Sequence, residues 1–324
     1  PTFPDNPLMG HVGSHPQITE YDVNGQFFGW GVQPSAMLSD IKRRLRYGKE
    51  HQVTGFLART DWEGVQDWTC FDNLNMVNLY AIAAYAENEN TSEEEIYLRW
   101  LQGEHMLDER LSPGQLKTCV QTVKEIMDET WPIVEKTNFV NGCLFSNDSC
   151  MHLTPEQFTF IGGTHHSLSE WDPEKKDALE MSVENIARII EDKEEAHVKC
   201  EKLVDRVVAG NMGLTEDAYE KMKEHFEFMR WYVRGFRLTA RGYCFGRYVT
   251  EKNAADMLVE GKTANVLLEE TIHEMEKYRE GLLQTTFIKK YPFDAQLNPE
   301  RVAFYTNSLK RMLAQGKKVE IVED

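Results

Sequence analysis

The sequence predicts α/β plus α: the last strands and helices of a (β/α)8 barrel of TIM type over residues 1–105, followed by a mainly α-helical C-terminal domain over 106–324. Three observations lead there. Strand, helix and strand follow one another in residues 17–33 (QITEYDVNGQFFGWGVQ), the amphipathic stretch from Pro34 to Tyr47, and VTGFLAR at 53–59. An acid, Glu20, stands at the end of the first strand, where parallel barrels place their chemistry because the loops after the strands form the open face. Strand patterns then stop near residue 60, whereas a closed barrel needs eight strands and about 250 residues. The chain is therefore expected to be the C-terminal part of a larger protein.

Each element has a local reason. Residues 17–33 read as two short strands broken at Asn24-Gly25. DNLNMVNLYAIAAYAEN at 72–88 is helical, and its small and apolar residues on most sides predict burial against a sheet and a neighbouring helix. Ser92 and Glu95 form a capping box for a helix starting near Glu93. Ser112-Pro113-Gly114-Gln115 and Thr154-Pro155-Glu156-Gln157 repeat that pattern with Pro at the first helical position. Residues 137–152 and Gly162 to Pro173 have the composition of ordered loops. Beyond Glu174 long helices are expected: Val183, Ile186, Ala187 and Ile190 share one face, and Phe226, Met229, Val233 and Phe236 another. Gly210 to Gly213 separates the two, with Thr215 capping the second. Further helices are predicted over 253–284 and 298–315, with Tyr291-Pro292 between them.

Composition narrows the function classes. The 324 residues are 41% hydrophobic and 11% aromatic, enough for one large or two ordinary cores. A formal net charge of −17 argues against a nucleic-acid partner, because phosphate binding needs clustered Lys and Arg. The one basic cluster, Lys42-Arg43-Arg44 with Arg46, reads as a solvated helix face. No run of about 18 apolar residues is present to span a membrane. Residues 1–30 show no signal-peptide pattern, and the compartment stays open between the cytoplasm and a bacterial periplasm or exterior. Cys70, Cys119, Cys143, Cys150, Cys200 and Cys244 show no metal-binding spacing and read as free, packed thiols. His165-His166 with His152 read as loop histidines rather than a metal site.

The chemistry-bearing residues concentrate early. From Arg59 to Trp68 the chain places one arginine, three acids and two tryptophans, including Asp61, Trp62, Asp67 and Trp68. Indole platforms beside carboxylates suit a sugar-binding cleft. Glycoside hydrolysis needs two carboxyl groups across the bond, and Glu20, beside Tyr21, fits one of those roles.

Several segments together resemble the later part of the α-glucuronidases of glycoside hydrolase family 67. Pro7-Leu8-Met9-Gly10 is similar to the family's P-L-F-G. Ile18-Thr19-Glu20-Tyr21 with Gly25-Gln26 resembles its I-T-Q-E-Y strand and following Gly-Gln, without the glutamine before the acid. Asp67-Trp68-Thr69-Cys70 stands where the family has Asn-Trp-Thr-Gly. Met76 to Ala81 and Thr91 to Ile96 resemble its A-Q-A-N-W-Y-A helix and L-S-A-E-E-I. The likeness covers about residues 7–100. It implies inverting removal of α-linked glucuronic acid, or its 4-O-methyl form, from xylan-derived oligosaccharides, with Glu20 as a catalytic carboxylate. Tyr21, Arg59, Asp61, Trp62, Asp67 and Trp68 would then bind substrate. The resemblance places the second catalytic acid upstream, so this chain alone is expected to be inactive and to need an upstream barrel segment of the same protein. It implies no metal or nucleotide cofactor, and subunit contacts through the helical region that would make a homodimer. A glycosidase of another specificity and a non-catalytic helical carbohydrate-binding module are the alternatives.

Overall fold

Alternation of side chains along Ile18–Asp22 (β1) and Gly55–Arg59 (β2) lets both segments pleat, and they pair in parallel, Ile18 opposite Gly55 and Asp22 opposite Arg59. The structure is a computed structural model that describes residues 8–61, 69–140, 143–144, 149, 155, 180–291 and 297–320. The crossover between the strands is helix α1, Leu38–Glu50, which buries Leu38 and Ile41 and carries Asp40 in its first turn and Lys49 in its last, as the helix dipole favours. Thr54 N–H donates to Gln17 O at 2.9 Å before the ladder and Val23 N–H to Arg59 O at 3.1 Å after it.

The second strand expected within residues 17–33 does not form. The Asp22 carboxylate accepts the backbone N–H groups of Asn24, Gly25 and Gln26 at 3.1, 2.9 and 2.9 Å, which winds the chain into a turn at the strand's end. Further on, Gly29, Trp30 and Gly31 have φ of 97°, 59° and 77°. Three successive left-handed residues cannot lie in a strand.

The barrel expectation is corrected as well. Among the described residues β2 is followed by a 3-10 turn, Cys70–Asp72, and then by α2 (Met76–Glu87), α3 (Glu93–Gly103), α4 (Pro113–Asp128) and α5 (Thr130–Asn138), with no strand between them. The other sheet among the described residues is the two-residue antiparallel pair Phe139–Val140 (β3) and Cys143–Leu144 (β4). Among the described residues the fold is mainly helical and contains no barrel. The reason lies in α2, whose Val77, Ala81, Ile82, Ala84 and Tyr85 are all buried. Helices α1 and α3 both pack against α2, and α4 packs on α3, so helical neighbours cover the apolar surface that a barrel sheet was expected to cover.

Helix ends follow local chemistry. Ser112 and Gln115 complete a capping box at α4. At α3 only half of the expected box is present: Ser92 Oγ accepts from Glu95 N–H at 3.2 Å, while the Glu95 carboxylate binds Arg99 one turn on. Of the Thr154 to Gln157 start only Pro155 is described, and His152, His165 and His166 lie outside the described residues. The long helices are α6 (Val183–Val208) and α7 (Glu216–Glu251), with Thr215 Oγ1 accepting from Ala218 N–H at 3.4 Å. They are followed by α8 (Ala264–Gln284) and α9 (Pro299–Glu320). Cys70, Cys119, Cys200 and Cys244 are buried free thiols.

Two compact units result. One comprises the described residues up to Val134 together with Lys199–Arg230; the other comprises those from Glu135 to Val198 and from Trp231 onward. In the second, Gly242 and Gly246 of α7 meet Tyr305, Leu309 and Met312 of α9. A Cβ at Gly242 would lie 2.7 Å from Leu309 Cδ1, so glycine sets this close helix approach. Among the described residues no helix is long and apolar enough to cross a membrane.

Candidate functional site

Side chains two apart on a strand share a face, so Ile18, Glu20 and Asp22 of β1 lie with Leu57 and Arg59 of β2 on one side of the parallel pair. Thr19 and Tyr21 face the other. Of the residues singled out by sequence, Glu20 and Arg59 are brought together: Arg59 Nη1 lies 3.5 Å from Glu20 Oε1, and the Glu20 side chain is 58% exposed. Ile18 and Leu57 are 59% and 61% exposed, leaving this face open to solvent around the carboxylate. Asp61 follows β2 and is exposed. Tyr21 turns away from Glu20, and its ring meets Phe56 edge to face at 6.3 Å. Trp62, Asp67 and Trp68 lie outside the described residues.

Asp22 joins these residues, though the sequence reading passed over it. Loss of hydration around its carboxyl pushes the pKa up to about 6, against the opposing pull of the N–H groups of Gly25, Gln26 and Asn24 and of the Arg59 charge. Asp22, Asp61 and Asp72 act together on Cys70, whose thiol is pushed up to about 12, first by burial and then by these three charges. Cys70 is therefore a packed thiol and not a nucleophile. The local signal for Asp22 was available: an Asp followed two and three residues later by Asn-Gly is the composition of a side-chain-capped turn.

Behind the carboxylates, residues 23–37 are clamped by buried amides. Asn73 Nδ2 donates to Asn24 Oδ1 at 3.1 Å and to Thr69 O at 2.8 Å. Asn78 Nδ2 donates to Val23 O at 3.1 Å and Ser35 O at 2.8 Å, while its Oδ1 accepts from Met37 N–H at 2.8 Å. Asn75 Oδ1 accepts from Ser35 N–H, and its two Nδ2 hydrogens are shared among the carbonyls of Asn24, Gly31 and Gln33. His225 Nδ1 lies 2.8 Å from Val32 O, and burial pushes the ring's pKa down to about 4, so it stays neutral and donates there. The turn beyond β1 is thus held rigidly beside the open sheet face.

Asp22 makes the fold's stability pH-dependent. Its carboxyl ionises near 6 in the fold against 3.8 as a free group, so its contribution is fully present below about pH 4 and is lost as pH rises through 6. The difference amounts to at most about 3 kcal/mol. In Asp22→Asn, urea midpoints measured from pH 4 to 7 should lose this downward trend relative to the wild type.

Glu20, midway along β1, and Arg59, the last residue of β2, thus pair on an exposed sheet face beside Asp22, whose pKa is raised. Among the described residues, no group of three or more His, Cys, Asp or Glu is placed to hold a metal ion. No family model matches the chain, and no curated protein matches it.

Proposed function

We propose that this site belongs to a glycoside hydrolase that removes α-linked glucuronic acid, or its 4-O-methyl form, from xylan-derived oligosaccharides with inversion. The observation that carries the reading is Glu20, an exposed carboxylate midway along β1 on an open sheet face, with Arg59 Nη1 3.5 Å from its Oε1. The motif likeness over residues 7–100 supplies the substrate class. Glu20 acts as the base that activates water, and Arg59 orients it. Inversion places the opposing acid roughly 6.5–9.5 Å away across the bond.

The test uses the protein at its natural length with acidic and neutral xylo-oligosaccharides. Uronic acid release is followed by chromatography and the first-formed anomer by proton NMR. Release from acidic substrates alone, with an inverted anomer, is expected, and Glu20→Gln should lower kcat by about a thousandfold. Undiminished turnover in Glu20→Gln, or oligosaccharide binding with no release by the wild type, would overturn the reading; the second result would leave a carbohydrate-binding module.

A further inference from the structure

The opposite face of the β1–β2 pair opens on a cavity of about 590 Å3 between the sheet, α1 and the C-terminal end of α2. Three cations of α1, Lys42, Arg46 and Lys49, recur at helical spacing along its wall. Arg46 Nε binds Glu89 Oε1 at 2.6 Å, whereas Lys42 and Lys49 have no carboxylate partner among the described residues. Lys42 Nζ stands 5.2 Å over the Tyr85 ring. The Arg46 hydrogen bond, and after it the charges of Arg46, Lys49 and Lys42, lower the pKa of Glu89. In a chain of net charge −17 such a spot is out of character. The wall also holds the Tyr21 and Phe56 rings, the amides of Asn88 and Asn90, and two carboxylates already paired with arginines, Glu87 with Arg99 and Glu89 with Arg46.

Aromatic rings, amides and two lysines free of ion pairs are complementary to a ring-bearing ligand with hydroxyl groups and one anionic group. We propose that this cavity binds an anionic sugar, one carrying a carboxylate or a phosphate, at a site separate from Glu20. Lys42 and Lys49 take the anion, the Tyr21 and Phe56 rings take the sugar's C–H face, and Asn88 and Asn90 take its hydroxyls. Since Thr19 and Tyr21 face away from Glu20, binding here does not depend on the hydrolytic reading.

Glucuronate, glucose 6-phosphate and glucose are titrated separately into the protein by calorimetry, at low and at high salt. Binding of at least one anionic sugar, with glucose much weaker and the affinity falling at high salt, is expected; the tighter of the two anions identifies the group read. The double variant Lys42→Gln/Lys49→Gln should weaken binding by about fivefold or more. Thermal melts confirm that it folds. Absence of binding by both anions, equal binding of glucose or full affinity in the double lysine variant would each overturn the proposal.

Discussion

Asn75→Ala should cost about 5 kcal/mol, a large share of the stability of a typical domain. The residue is 1% exposed. Its Oδ1 accepts from Ser35 N–H at 2.8 Å, and its Nδ2 faces the carbonyls of Asn24, Gly31 and Gln33 at 2.7, 3.1 and 3.1 Å. Truncation leaves one N–H and up to three carbonyls buried without that partner, at about 1–3 kcal/mol for each group that finds no other. Asn75→Asp separates hydrogen bonding from volume: it keeps the shape and the acceptor for Ser35 but turns a second oxygen toward three carbonyl oxygens. Denaturant unfolding should therefore rank Asp at least as harmful as Ala. Hydrogen exchange should show the amides of residues 23–37 losing protection first, because this side chain ties them to α2. Near-wild-type stability in both variants would show that the clamp is dispensable.

The same asparagines show why part of the site was hidden in the sequence. Within DNLNMVN, Asn73, Asn75 and Asn78 carry no local sign of burial, since asparagine is ordinarily a surface or turn residue. Their partners lie more than forty positions away, at Asn24, Gly31, Gln33 and Ser35. A pattern read within a window of ten to twenty residues does not contain that information. Glu20 and Arg59 were each picked out, but their pairing depends on the parallel register of β1 and β2, which only the crossover through α1 establishes.

Features set by short-range chemistry were legible. The Ser112 box, the Thr215 cap and the long helices α6 and α7 follow from hydroxyl spacing and a 3.6-residue apolar period. The barrel expectation arose from extending one true strand, helix, strand unit by analogy. What it lacked was the neighbour of α2: an all-round apolar helix demands burial without specifying whether a sheet or other helices supply it. Residues 26–33 misled for a different reason. Their aromatics suggest a strand, yet the glycines among them and the Asp22 carboxylate stabilise left-handed turns instead.

In the second unit, Lys193→Met should flatten a rise in stability toward alkaline pH. Lys193 is 1% exposed, and its Nζ donates to the carbonyls of Lys136 and Phe139 at 2.6 and 2.7 Å, beside the end of α5. Burial pushes its pKa down to about 7, with the nearby charge of Asp192 pulling the other way. The unfolded chain, whose lysine ionises near 10.5, then binds more protons than the folded chain between about pH 7 and 10.5, and stability rises with pH across that window. The full rise attributable to this one group is at most about 5 kcal/mol. Met fills a similar volume without a charge, so the variant should lack the rise while leaving two carbonyls without their donor. Near pH 6, where the wild-type lysine is charged in both states, the two proteins should differ least, because the lost hydrogen bonds and the relieved charge burial oppose each other. By pH 9 the wild type should be clearly the more stable. Denaturant midpoints of both proteins at several pH values provide the measurement, and subtracting one curve from the other cancels every titration they share. Parallel curves would mean that Lys193 has the same proton affinity folded and unfolded, and that its two hydrogen bonds fully offset its burial.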